Sequence, residues 1–278
     1  RYDYPMIAVS AISDNLEALT ARYPNLFFTL GTTTSFVEGV RDVLVGQREA
    51  GVIGNRVAMV NVADAFGIQL ADVARAILPE AGFEIVYDKS YPLGTPDLSP
   101  VMQGVVNEAP DAFVAWSYPP DTFALAEQAI VQDLDVRSYY SAVATPFPSF
   151  KAAYGAKIDN VLGAGGTNPD DEKIAAYRAA HLEVTGQEAD YWASANTFAS
   201  MEILAQAIEG AGTLDRAAVT EYIKANSFDT VMGTLSFEDQ VSHRYWNVRQ
   251  WQDGVFRGVQ GTNIEGAAEV RSKDGWGG

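Results

Sequence analysis

Chemistry in a polypeptide needs nucleophiles, acid–base pairs, metal ligands or phosphate-cradling loops, and this chain of 278 residues offers few. It has no cysteine, which removes thiolate zinc sites, cysteine nucleophiles and disulfide frameworks together. Of its two histidines, His181 falls inside a helical pattern and His243 in a polar turn. They are too few and too far apart for a histidine-rich metal site or a Ser-His-Asp triad, and both read as surface residues. No G-x-S-x-G elbow and no G-x-x-x-x-G-K-[ST] loop occurs. Gly163-Ala164-Gly165-Gly166 has the wrong spacing for a dinucleotide loop and reads as a flexible crossover. Asp170-Asp171-Glu172 could hold a cation, yet acidic residues in a first helical turn are favoured by the macrodipole alone. Neither a metal nor a cofactor is therefore expected, and the chain does not read as an enzyme.

What remains is a set of loops built from small polar and aromatic residues: Ser10-Ala11-Ile12-Ser13, Ala63-Asp64-Ala65-Phe66-Gly67, Trp116-Ser117-Tyr118-Pro119 and Ser141-Ala142-Val143-Ala144-Thr145. Each pairs backbone donors or hydroxyls with an aromatic or apolar wall, a combination suited to a small ligand with a polar head and an apolar body. Tyr139 and Tyr140, inside a strand pattern, read as core.

These loops follow apolar bursts, and the elements around them alternate. Arg56 to Asn61 reads as a strand buried on both faces. Gly67 to Ala81 reads as a helix with Leu70, Val73, Ala74, Ile77 and Leu78 on one side and Gly82 as its C′ stop. Phe83 to Ser90, Asp111 to Trp116, Arg137 to Ser141 and Asn160 to Gly163 read as further strands. Helices opened by Asp97, Asp121 and Pro148 lie between them, and that order means βαβ units with a parallel sheet. The second half carries three helical patterns, Asp170 to Gly186, Tyr191 to Gly210 and Asp215 to Ala225. The middle one is expected to bury Phe198, Met201, Ile203, Leu204 and Ile208. Short strands return at Gly233 to Glu238, Arg244 to Gln252 and Val255 to Gly258, the last two joined by an Asp253-Gly254 hairpin turn. In an open parallel sheet, ligands bind outside the carboxyl ends of the strands, which is where the four loops fall.

Charge narrows the partners. With 19 Lys and Arg against 36 Asp and Glu the formal net charge is −17, and no basic patch interrupts it, so nucleic acid is not expected as a partner. No apolar run reaches the roughly 18 residues that span a bilayer. Tyr4 to Ser10 looks like a core strand, with Ser13-Asp14-Asn15 capping the helix after it, but nothing precedes it to pair with. Units upstream are expected.

The sequence resembles the type I periplasmic solute-binding proteins of ABC importers, in the branch of the leucine/isoleucine/valine-binding proteins. Pro5-Met6-Ile7-Ala8 with its Ser/Ala turn resembles the strand and ligand loop before the family's first hinge, and Leu26-Phe27-Phe28-Thr29 resembles its crossover. Arg56 to Val60 with Ala65-Phe66-Gly67 resembles the strand and "(D)xYG" turn, and Lys224 to Phe237 is close to the "KAN…TVxGPLxWD" ending. Together they cover nearly the whole chain.

The resemblance implies an α/β protein of two doubly wound parallel-sheet lobes joined by a three-strand hinge. Residues 1–30 and 167–246 would form lobe one, 31–166 and 247–278 lobe two, and the opening three βα units, on the order of 90 residues, would be missing. It also implies an extracytoplasmic protein, periplasmic or lipid-anchored on the outer face. Such a protein closes on a small organic ligand, a hydrophobic amino acid or an aromatic or aliphatic carboxylate, and delivers it to an ABC permease. A receptor or sensor domain and an α/β enzyme are the alternatives. By position, Ser10, Ala11, Ile12 and Ser13 would hold the ligand's head groups, Ser10 and the N–H groups of Ala11 to Ser13 doing so at a helix N-terminus. Phe66, Trp116 and Tyr118 would supply an aromatic wall, with Ser117 in the same ligand loop as Trp116 and Tyr118. Val143 stands near the acid that pairs an ammonium in amino-acid binders; no acid is there, and Asp64 is the substitute.

Overall fold

The computed structural model describes residues 3–277. The chain divides into two compact units, each described by itself: one takes the chain up to Ser35, Gly166–Trp246 and Gly261–Glu265, the other Phe36–Gly165, Asn247–Gln260 and the chain from Gly266 onward.

The first unit holds β1 (Met6–Ala8), α1 (Leu16–Arg22) and β2 (Leu26–Phe28), with the two strands paired in parallel. The start of α2 (Thr33–Glu49) also lies here, and the Asp14 carboxylate accepts the Thr34 N–H at 2.9 Å, so Asp14 serves this longer helix instead of α1. The second unit begins within α2 and runs through β3 (Arg56–Val62), α3 (Ala65–Glu80), β4 (Glu84–Tyr91), α4 (Ser99–Glu108), β5 (Ala112–Trp116), α5 (Pro119–Val131), β6 (Ser138–Ser141), α6 (Pro148–Tyr154) and β7 (Leu162–Gly166). The first unit resumes with α7 (Glu172–Thr185), α8 (Ala193–Ala211), α9 (Arg216–Ala225) and the antiparallel pair β8 (Phe228–Thr230) and β9 (Gly233–Leu235). Strands β10 (Tyr245–Gln252) and β11 (Val255–Thr262) complete the order.

The main sheet has the order β11-β10-β7-β6-β5-β3-β4, and β4, β3, β5, β6 and β7 pair in parallel. Strands β3 and β5 are buried on both faces: Val57 to Val62 and Ala112 to Trp116 are fully enclosed, which is why Val57 to Val60 and Ala112 to Trp116 read as unbroken apolar runs. From β3 the chain steps one way to β4, then crosses back to β5 on the other side. The strand order therefore reverses at β3, and the crevice between the carboxyl ends of β3 and β5 is a topological switch point.

Local signals account for most element ends. Gly82 is left-handed at φ +86°, with Gly82 N–H to Pro79 and Phe83 N–H to Leu78 closing a Schellman stop after α3. Asp171 and Asp215 cap α7 and α9 with their carboxylates. Asp253 and Gly254 both have positive φ, the type I′ turn that a two-residue hairpin demands.

Four expectations need correction. Phe198 and Met201 lie on the open face of α8, 48% and 57% exposed, while Ala195, Ala199, Ile203 and Ala207 face the core. Small residues every fourth position let the helix sit close to Phe27, Val219 and Ile223, and the large residues fall on the other face. Gly163 to Gly166 is regular strand β7 and not a flexible crossover. A Cβ on Gly163 would meet Thr145 at 2.5 Å, so tight packing, not mobility, calls for glycine there. Asp97 does not cap α4; its carboxylate accepts the Ser99 N–H in a local turn before the helix. Finally, α5 starts two residues before Asp121, because Pro119 and Pro120 fit a first helical turn, where their missing N–H is not needed.

Candidate functional site

In the second unit three strand ends converge on the switch point. Strand β3 ends at Val62, and Asp64 then caps α3, its Oδ1 accepting the Gly67 N–H at 2.9 Å. Gly67 packs directly on the strand end: a Cβ there would lie 2.1 Å from the Val62 carbonyl oxygen. Strand β4 ends at Tyr91, in register with Val62, and the Tyr91 carbonyl accepts the Ala63 N–H. Strand β5 ends at Trp116, in register with Asn61, and Tyr118 is the N-cap of α5.

The Phe66 and Tyr118 rings stack at 5.0 Å and 20°, and both side chains are half-exposed. They form a flat aromatic shelf beside the Asp64 carboxylate. The Tyr118 phenol has its pKa pushed up to about 12, first by burial and then by the nearby Asp64 carboxylate. Asp121, in the first turn of α5, is 2% exposed, and its carboxylate lies near the Tyr118 backbone N–H. Burial raises its pKa; that backbone donor works against the rise, and nearby Asp64 adds to it. Tyr91 is likewise buried, with its phenol pKa raised by burial and by Asp121 and Asp64. Sequence reading missed Tyr91 and Asp121. The signal for Asp121 was the Pro119-Pro120 pair, which moves the helix start and turns the acid back onto its own N-terminus.

Other candidates are placed differently. Trp116 is fully enclosed, its indole Nε1 3.3 Å from Met59 Sδ and its ring packed near Phe36 and Tyr140; in this structure it is core, not wall. Ser117 is also enclosed, its hydroxyl 2.7 Å from that of Thr122, which in turn donates to the Val143 carbonyl. Val143 is half-buried and precedes Ala144, a non-glycine residue at φ +78°, so the end of β6 carries backbone strain. Tyr139 and Tyr140 are core residues.

In the first unit Ser10 and Ala11 are exposed and Ile12 and Ser13 half-buried. The N–H groups of Ala11 to Ser13 lie in an irregular stretch ahead of the N-cap, Asn15, and α1 has seven residues. They are therefore not first-turn donors, because the helical bonds begin at Asn15. The Ser13 hydroxyl accepts the Asn15 N–H at 3.0 Å.

The sequence matches the family described as periplasmic binding protein over residues 2–255. The chain belongs to that family. Its members are solute-binding proteins, not enzymes, and work outside the cytoplasm. An amino acid binding protein of Pseudomonas aeruginosa is 25% identical over 206 residues, which is 71% of this chain and 54% of the relative. The chain thus spans about half the length of that curated relative. Among solved structures, a solute-binding protein of an ABC transporter from R. palustris in complex with benzoate has a TM-score of 0.80 at 15% identity, covering 96% of this chain and 73% of that one. The leucine-, isoleucine-, valine-, threonine- and alanine-binding protein of Brucella ovis in its closed conformation has a TM-score of 0.75 at 18% identity, covering 95% and 72%. Both share the type I periplasmic-binding fold with this chain. Among the described residues no helix is long and apolar enough to cross a membrane.

Proposed function

We propose that this protein captures a small hydrophobic carboxylate, an aliphatic amino acid or an aromatic or aliphatic acid, outside the cytoplasm and delivers it to an ABC permease. The periplasm or the lipid-anchored outer face of the cell is its place of work. The observation that carries the reading is the stacked Phe66–Tyr118 shelf at the switch point of the second unit's sheet. A flat apolar wall beside a carboxylate suits a compact ligand with one polar end, and the loops offer few of the planar Asn, Asp and Arg hydrogen-bonders that a sugar needs. The permease reads the closed state, which ligand stabilises by its differential contacts. Relatives that bind branched-chain amino acids and benzoate bracket this ligand class.

Isothermal titration of the intact protein with leucine, 4-methyl-2-oxopentanoate and benzoate tests the reading. Binding of at least one in the micromolar range or tighter is expected. Binding of none, or of a sugar alone, refutes it.

A further inference from the structure

Within the second unit, Thr122 makes two bonds that join the aromatic shelf to the end of β6. Its backbone N–H donates to the Tyr118 carbonyl at 2.8 Å, and its hydroxyl donates to the Val143 carbonyl. A hydroxyl has one proton, so the Ser117 hydroxyl, 2.7 Å away, is the donor to Thr122 Oγ1. The Val143 N–H closes the ring on the Ser117 carbonyl at 3.2 Å. The Ser117 and Thr122 side chains are fully enclosed, so water does not compete for these bonds.

A second pair of hydroxyls holds the other side of the same turn. Thr145 Oγ1 donates to the Ser141 carbonyl at 2.8 Å, which makes the Ser141 hydroxyl the donor across the 2.9 Å to Thr145. The Trp251 indole donates to the Thr145 carbonyl at 3.0 Å. Between the two pairs lies Ala144 at φ +78°, a conformation that alanine keeps only where its surroundings impose it. Valine and alanine would fill the same space; what the hydroxyls add is a fixed place for the turn.

We infer that Thr122, assisted by Ser117, is a positioning residue for ligand binding: it holds the strained Val143–Ala144 turn against the Phe66–Tyr118 shelf and so sets the width left for the ligand's apolar body. The Val143 backbone is bonded to the residue just before Tyr118, and its side chain is only half-buried, so a shift of the turn moves a wall directly beside the shelf. The competing reading is that the hydroxyls serve only the stability of α5 and β6. The two differ once the Thr122 hydroxyl is lost. If it serves stability alone, the variant binds as before wherever it is folded. If it holds the turn, Ala144 relaxes toward negative φ and carries Val143 with it, and Ala144→Gly, which accepts positive φ without strain, compensates.

This inference rests on the proposed function and adds the residues that stand behind its shelf. The test is isothermal titration of the intact wild type, Thr122→Val, Thr122→Ser and the double variant Thr122→Val/Ala144→Gly with leucine, 4-methyl-2-oxopentanoate and benzoate, at a temperature where thermal unfolding shows each protein folded. For the tightest of the three ligands, Thr122→Val is expected to weaken binding about 10-fold, the scale of one lost buried hydrogen bond. Thr122→Ser, which keeps the hydroxyl, is expected to stay within about 3-fold of wild type. Adding Ala144→Gly to Thr122→Val is expected to recover at least about 3-fold of the loss, the coupling that a shared turn requires. Ser117→Ala, expected to weaken binding about 5-fold, serves if Thr122→Val does not fold. Unchanged affinity in the folded variant, or no recovery with Ala144→Gly, overturns the inference in favour of stability alone and spares the proposed function; wild type binding none of the three removes both.

Discussion

Replacing Gly67 by alanine tests whether α3 is seated on the end of β3 as tightly as the site requires. The new Cβ would stand 2.1 Å from the Val62 carbonyl oxygen and 2.8 Å from Val62 Cγ1, more than 1 Å inside an ordinary contact, and the nearer obstacle is backbone that no rotamer change relieves. Overpacking of this kind destabilises by ~1–3 kcal/mol, against which alanine's better helix propensity returns at most ~1 kcal/mol. A net loss of ~1–2 kcal/mol follows. Gly46, in the interior of α2 in the same unit, has nothing within 4 Å of its would-be Cβ, so Gly46→Ala should gain ~0.5–1 kcal/mol from the same substitution. Urea unfolding followed by circular dichroism reads both. With m near ~2 kcal/mol/M, the midpoint falls by about 0.5–1 M for Gly67→Ala and rises by about 0.3–0.5 M for Gly46→Ala. Because Asp64 and Phe66 move with the start of α3, Gly67→Ala should also weaken ligand binding, which titration measures. Equal shifts of the same sign in the two variants would refute the close seating of α3 on β3.

Two further outcomes follow from buried side chains of the second unit. Lys273 is 3% exposed, its ammonium held by the Lys157 and Gly275 carbonyls, and burial lowers its pKa to about 8 against the pull of Asp159 and Asp274. The unfolded chain therefore binds this proton more tightly than the folded one between pH 8 and 10.5, and stability rises with pH through that window, by at most ~3 kcal/mol. The difference in unfolding free energy between wild type and Lys273→Met should shift in the wild type's favour from pH 7.5 to 10; a flat difference would show that the ammonium stays solvated. Trp116→Phe should cost ~1–3 kcal/mol by leaving a gap beside Met59 and Tyr140 while ligand affinity stays within about 3-fold, and a selective loss of affinity would return Trp116 to the binding wall.

The parallel sheet was legible because burial on both faces leaves a plain mark: Val57 to Val60 and Ala112 to Trp116 are unbroken apolar runs. Stops were legible where backbone geometry admits few residues, as at Gly82 and Asp253-Gly254. The α8 face was misread because its core side is made of alanines, which carry little weight in a hydrophobic pattern, while Phe198 and Met201 advertise the open side. The site was half legible. Loop position named Asp64, Phe66, Trp116 and Tyr118 alike, and only three-dimensional packing shows that Phe66 and Tyr118 stack while the Trp116 indole turns toward Met59. Tyr91 and Asp121 were not legible as buried polar residues, since their burial follows from packing around β4 and β5, which flank the same strand.

The groups at the switch point have a common origin in helix capping. A helix that starts at a strand end leaves N–H groups without partners, and side-chain oxygens are the usual remedy. Asp64 meets that demand for α3, its Oδ1 accepting the Gly67 N–H. A carboxylate has two oxygens, and at Asp121 Oδ2 is buried without a hydrogen-bond partner. Asparagine is therefore the informative substitution at position 64, since it preserves an oxygen for the Gly67 N–H and removes only the charge beside the Phe66–Tyr118 shelf.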